Sequence, residues 1–249
     1  METRYFKHYS QNLNRDMQFK VYGHTGRPVL FLPCEGGRFY DYEDFGMIDR
    51  WAQWIQEGRC CIYTADSIDH ETYLSQGDPN RRTKLHEKWY NYIIHELVPH
   101  IRQLSIERNG YDQGIMAFGC SMGAMHAANL FFRRPDQFNA VLALSGVYDS
   151  RMYFGDYMDN TLYQNTPSAY LHNLPEEHYF KRMYNNRRML FVSGQGPWEE
   201  NSLGSLRYLE YILRDKGIHA QIEYWGSDVS HDWPWWYKMV EHYVPRFLY

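Results

Sequence analysis

Residues Gly119, Cys120, Ser121, Met122 and Gly123 read GCSMG, a serine with a glycine two positions away on either side. A serine hydroxyl attacks a carbonyl carbon only when a base takes its proton. The pentapeptide therefore asks for a histidine, and the histidine for an acid that fixes its tautomer. The chain has 12 histidines. His86, His95 and His100 fall in one long amphipathic stretch, His126 sits in the helical run after the pentapeptide, and His178 lies in an irregular segment. His231 differs: it stands in the loop SDVSHDWPWW, after the last strand-like run and before a terminal helix. The acid is expected after the run RMLFVSG, where QGPWEEN supplies Glu199 and Glu200 and no aspartate. Ser, acid and His in that chain order suit nucleophilic acyl chemistry, with one glutamate buried against the imidazole and the other solvated.

Attack creates an oxyanion, which needs N–H donors. The Met122 amide is the natural first donor, because it opens the helix that follows the serine. A second should come from the loop after an early strand, where PVLFLPCEGGRFYDYEDFG places Gly36 and Gly37; the expected amide is that of Gly37 or Arg38. Phe39, Tyr40, Trp198 and Trp233 are candidates for an aromatic substrate pocket, against the plainer reading of core packing. Read without chemistry, GCSMG is a glycine-rich turn whose serine caps a helix. No phosphate-binding glycine loop, dinucleotide fingerprint or HExxH zinc site occurs, so neither cofactor nor metal is expected.

Such a serine must be lifted above a sheet at a strand-to-helix turn, and the surrounding pattern provides one. GIMAFGC reads as a strand and SMGAMHAANLFF as a helix. The runs MQFKVYG, PVLFLPC, CCIYTAD, AVLALSG, RMLFVSG and AQIEYWG also read as strands, alternating with amphipathic helical stretches. That alternation predicts a mainly parallel central sheet with helices on both faces. Residues 1–249 are expected to form one α/β domain. An irregular, aromatic-rich excursion at about 151–186 is expected over the strand ends as a lid, or else as a set of short packing helices.

Composition narrows the partners. The formal net charge is -4 and basic residues are scattered, which leaves no footprint for nucleic acid or an anionic membrane. The start has no apolar signal region, so the cytoplasm is the expected location. Cys34, Cys60, Cys61 and Cys120 form no disulfide-like or zinc-like spacing. The 18% aromatic content suits a lined cleft or a contact between copies of the chain, and a homo-oligomer stays open.

With GCSMG, CEGGRFYDYEDFG, ADSIDHETY and YWGSDVSHDWPWW in view, the chain resembles the α/β-hydrolase superfamily, in particular the esterase D, S-formylglutathione hydrolase and feruloyl esterase group. The similarity runs over nearly the whole length. HDWPWW looks like that group's histidine loop and GQGPWE like its acid loop, and the spacing after QG selects Glu199 over Glu200. Where Glu199 falls, the group usually has aspartate. The resemblance implies an α/β-hydrolase fold and cleavage of a small carboxylic ester, without naming the substrate. An acyltransferase on the same scaffold and a catalytically silent binding protein are the competing expectations.

Overall fold

The computed structural model describes residues 1–248. Eight strands make one sheet in the order β1-β2-β4-β3-β5-β6-β7-β8. β1 (Thr3–Ser10) pairs antiparallel with β2 (Arg15–Tyr22), and β2 antiparallel with β4 (Cys60–Ala65). From β4 onward every pairing is parallel, through β3 (Arg27–Leu32), β5 (Ile115–Cys120), β6 (Phe138–Leu144), β7 (Arg188–Ser193) and β8 (Gln221–Tyr224). All residues of β4 and β5 are buried, as continuous apolar runs must be when helices cover both faces. β1 has no such run because it is an edge strand and mostly exposed.

On one face lie α1 (Asp41–Asp44), α2 (Met47–Gln56) and the terminal α11 (Trp233–Leu248). Their Trp51, Trp54, Trp236 and Tyr243 pack with Phe31, Phe118 and Leu142 of the sheet. The opposite face carries α3 (Pro79–Tyr92), α4 (Val98–Asn109), α5 (Met122–Arg133) and, further along the chain, α10 (Glu200–Asp215). There Trp89, Phe131 and Leu206 pack with Leu30, Ala117 and Phe191. The helical stretch expected as one piece is α3 and α4 joined by a π turn, Ile93–Leu97. Pro99 lacks the N–H that would bond back to His95, and the wider turn absorbs the gap.

The excursion is a set of four short helices, α6 (Arg151–Phe154), α7 (Asn160–Gln164), α8 (Pro167–His172) and α9 (Tyr179–Asn185). Polar bonds tie it down. Arg82 donates to Tyr153 O at 2.9 Å, Tyr73 to Asn165 O at 3.3 Å, and Asn80 to Asp159 at 3.0 Å. Arg133 donates to the Asn165 side chain at 2.8 Å. Among the described residues no helix is long and apolar enough to cross a membrane.

Pairing of β3 with β5 ends at Leu32 and Gly119, and a buried phenol fills the space beyond. The Tyr42 hydroxyl donates to Leu32 O at 2.9 Å and accepts from Cys120 N at 3.0 Å. Tyr42→Phe should strand both backbone groups and lower stability by about 1–3 kcal/mol, read by denaturant unfolding. An unchanged midpoint would show that water or a neighbour replaces the hydroxyl.

Candidate active site

Ser121 takes φ 57 and ψ -126 between β5 and α5, a conformation that costs a side-chain-bearing residue about 1–3 kcal/mol. The turn is so tight that a Cβ on Gly119 would meet Gly123 C at 2.2 Å, and one on Gly123 would meet Leu32 O at 2.1 Å. The two glycines of GCSMG are thus steric necessities. Ser121 N donates to Leu144 O at 2.8 Å, which moors the elbow to β6. Met122 opens α5, where amides have no intrahelical acceptor.

The structure brings Ser121, His231 and Glu199 into one line. His231 Nε2 lies 2.9 Å from Ser121 Oγ, and His231 Nδ1 lies 3.2 Å from Glu199 Oε2. Glu199 is fully buried, whereas Glu200 is exposed as the first residue of α10. The loops holding acid and base are bonded together: Gly196 N donates to Val229 O at 2.9 Å, and His231 N to Pro197 O at 3.1 Å.

A buried carboxylate needs compensation. Ser145 Oγ donates to Glu199 Oε1 at 2.6 Å, and the Ser202 hydroxyl bonds Glu199 Oε2. Gly194 N approaches Oε1 at 3.4 Å. Burial alone would push the Glu199 carboxyl up, but the bonds from His231, Ser145 and Ser202 outweigh it and hold the group below the usual glutamate range. Trp236 completes the cradle, with its indole N–H donating to Ser145 Oγ at 3.1 Å and its ring edge-on to His231 at 5.0 Å. Sequence reading missed Ser145, Ser202 and Trp236. For Ser202, a position three residues after the acid at a helix start was the available signal; for Ser145 there was none.

The loop after β3 is pinned to the end of β4. Arg38 makes a two-point ion pair with Asp66, at 2.6 and 2.9 Å, and Ser67 Oγ donates to Gly37 O at 2.7 Å. Gly37 N closes a turn onto Cys34 O at 2.8 Å, so of the two expected amides the one not spent on this turn is that of Arg38. Of the expected pocket residues, Phe39 is buried, with its ring 5.9 Å from that of Tyr5 in β1. Tyr40 is partly exposed beside it. Trp233 stacks on Phe45 at 4.6 Å and meets Trp236 at 5.2 Å. Trp198 is 76% exposed at φ 64, directly before Glu199.

Competing reactive groups are accounted for. Burial pushes the Cys34 thiol up to about 12 and Cys120 well above its ordinary range, so neither is a ready thiolate. A second acid–imidazole pair, Asp69 with His126 at 3.1 Å, is buried. His86, stacked on His126, is held well below the usual imidazole range by burial and then by His126.

A mostly parallel sheet with a serine elbow, covered on both faces, defines an α/β-hydrolase fold. The chain belongs to the esterase family: the family model, described as "Putative esterase", matches residues 10–244. No curated protein matches the chain. Among solved structures it is similar to a ferulic acid esterase, at 17% identity and TM-score 0.75, covering 99% of this chain and 97% of that one. It is also similar to an S-formylglutathione hydrolase from Agrobacterium tumefaciens, at 15% identity and TM-score 0.71, covering 99% and 92%. A third is fluorophosphonate-binding serine hydrolase F of Staphylococcus aureus, at 15% identity and TM-score 0.68, covering 100% and 98%.

Proposed function

We propose that the protein hydrolyses a small carboxylic ester through an acyl-enzyme on Ser121. His231 takes the serine proton during attack and returns it to the leaving alcohol, and Glu199 holds the imidazole tautomer and stabilises its charged form. The Met122 amide, with that of Arg38, receives the oxyanion. Water then cleaves the acyl-enzyme without a cofactor. The exposed Trp198 and the aromatic surface from Tyr40 to Trp233 serve as a platform for the substrate, and the helices α6–α9 act as its lid. The four unpaired cysteines fit the cytoplasm expected from the sequence.

The observation that carries this reading is the bonded line from Ser121 Oγ through His231 to a buried Glu199. It is tested by mixing enzyme with an excess of a p-nitrophenyl ester and following release from the first turnover onward. A burst of nitrophenol with the acyl mass on Ser121 is expected. Turnover without a burst or a trapped acyl group, under conditions where deacylation is slow, would contradict the covalent route. An added alcohol that diverts most of the acyl group into a new ester would assign acyl transfer instead.

The pH dependence has a defined sign. Only neutral imidazole accepts the serine proton, so His231 serves as base in its uncharged form. Glu199 stays charged below the usual glutamate range. Because its folded pKa is depressed, the stability it contributes is present above the ordinary carboxyl range and lost as pH falls through the folded value. Denaturant unfolding should therefore show stability falling on acidification below the ordinary carboxyl range, and a stability unchanged there would contradict a charged, buried Glu199.

A further inference from the structure

We infer that the groove along α3 binds the far end of an anionic acyl chain, a specificity site that rests on the esterase reading above. Arg81, Lys84 and Lys88 are exposed at intervals of three and four residues, on one face of α3. Among the described residues none of the three forms an ion pair. They line a cavity of ≈ 430 Å³ together with Arg15, Glu71 and Asp78. The two acids are already engaged. Glu71 is held by Arg15 in a two-point pair, and Asp78 accepts the Arg81 backbone amide at 2.8 Å. Three uncommitted cations therefore stand beside an Arg15–Glu71 pair and one capping carboxylate, in a chain whose formal net charge is -4.

This groove leads toward the loop after β3. An adjoining cavity of ≈ 350 Å³ shares Glu71, Asp78 and Arg81 and adds His70. The His70 ring lies against the loop after β3, where a Cβ on Gly36 would come within 2.8 Å of its Nε2. Strand order then decides which half of an ester points there. His231 follows β8 and delivers its proton to the leaving alcohol on that side of β5. β4, which leads into His70 and α3, lies on the opposite side of β5, beyond β3. The acid half of the ester thus extends toward the cations.

The recognised group is a terminal oxyanion, supplied by a carboxylate or by a phosphonate. The test compares p-nitrophenyl esters with one leaving group and three acyl chains of equal length, ending in methyl, carboxylate or phosphonate. Wild-type kcat/KM should favour at least one anionic chain by about tenfold, and high salt should erode the preference. The double variant Arg81→Glu with Lys84→Glu should abolish it while leaving the methyl-ended ester unchanged. A wild type without preference, or a variant that slows all three equally, would overturn the inference. Calorimetric binding of the free dicarboxylate reads the groove without turnover, with weaker binding expected in the double variant and equal binding counting against the site. Failure of the esterase reading shows separately, as no turnover of the methyl-ended ester.

Discussion

Ser121→Ala should reduce ester turnover to background and abolish labelling by a serine-directed phosphonate. Loss of the serine in a well-studied protease triad costs about 10⁶-fold in kcat, because the remaining groups have nothing to activate. The substitution suits the site sterically, since serine already occupies φ 57 and alanine brings the same Cβ. Among the bonds described, the hydroxyl makes only the 2.9 Å contact to His231, so folding should be preserved. The flanking thiols offer no replacement while burial keeps them protonated. Stoichiometric labelling of the folded alanine variant would place the nucleophile elsewhere.

Glu199→Gln should lower kcat by orders of magnitude, whereas Glu200→Gln should stay near wild type. Neutralising the acid of the best-studied triad costs about 10⁴-fold, because the imidazole then adopts the wrong tautomer. Glutamine at 199 keeps the volume, but it presents an amide to a cradle built of donors from Ser145, Ser202 and His231. A modest loss of stability should accompany the loss of rate. Glu200 is solvated, and its removal leaves the cradle intact. The check is steady-state kinetics with circular dichroism on both variants. The opposite ranking would transfer the role to Glu200, and two active variants would exclude both.

How much the residues disclose depends on how tightly chemistry constrains them. GCSMG was legible because a strand-to-helix turn this tight excludes any Cβ at Gly119 and Gly123. The central parallel strands were legible because burial on both faces demands continuous apolar runs, as in IMAFGC. β1 escaped notice as an edge strand, with little apolar alternation to read. Short helices were one of two readings of the excursion, but the bounds of α6–α9 could not be read because four to seven residues complete too few turns to display a helical period. The spacing after QG selects Glu199 over Glu200, and in the structure Glu199 is the N-cap of α10, with Leu203 N donating to Glu199 O at 2.7 Å, while Glu200 opens the helix in solvent. Spacing also could not show that Phe39 packs toward Tyr5 of β1, or that Tyr42 closes the gap between β3 and β5.

The moorings of the excursion have an evolutionary consequence. Its polar anchors run to Asn80, Arg82, Tyr73 and Arg133, on α3, α5 and the segment before α3. Glu199 and His231, by contrast, are held by Ser145 directly after β6, by the loops after β7 and β8 and by α10 and α11. Mutations that reshape residues 151–186 therefore strain a different set of bonds from those that align the reacting atoms. Such a division makes the molecule modular: the excursion can drift, be exchanged or lengthen while the supports of the Ser121–His231–Glu199 line are inherited unchanged. One scaffold can in this way give rise to many selectivities without rebuilding its chemistry.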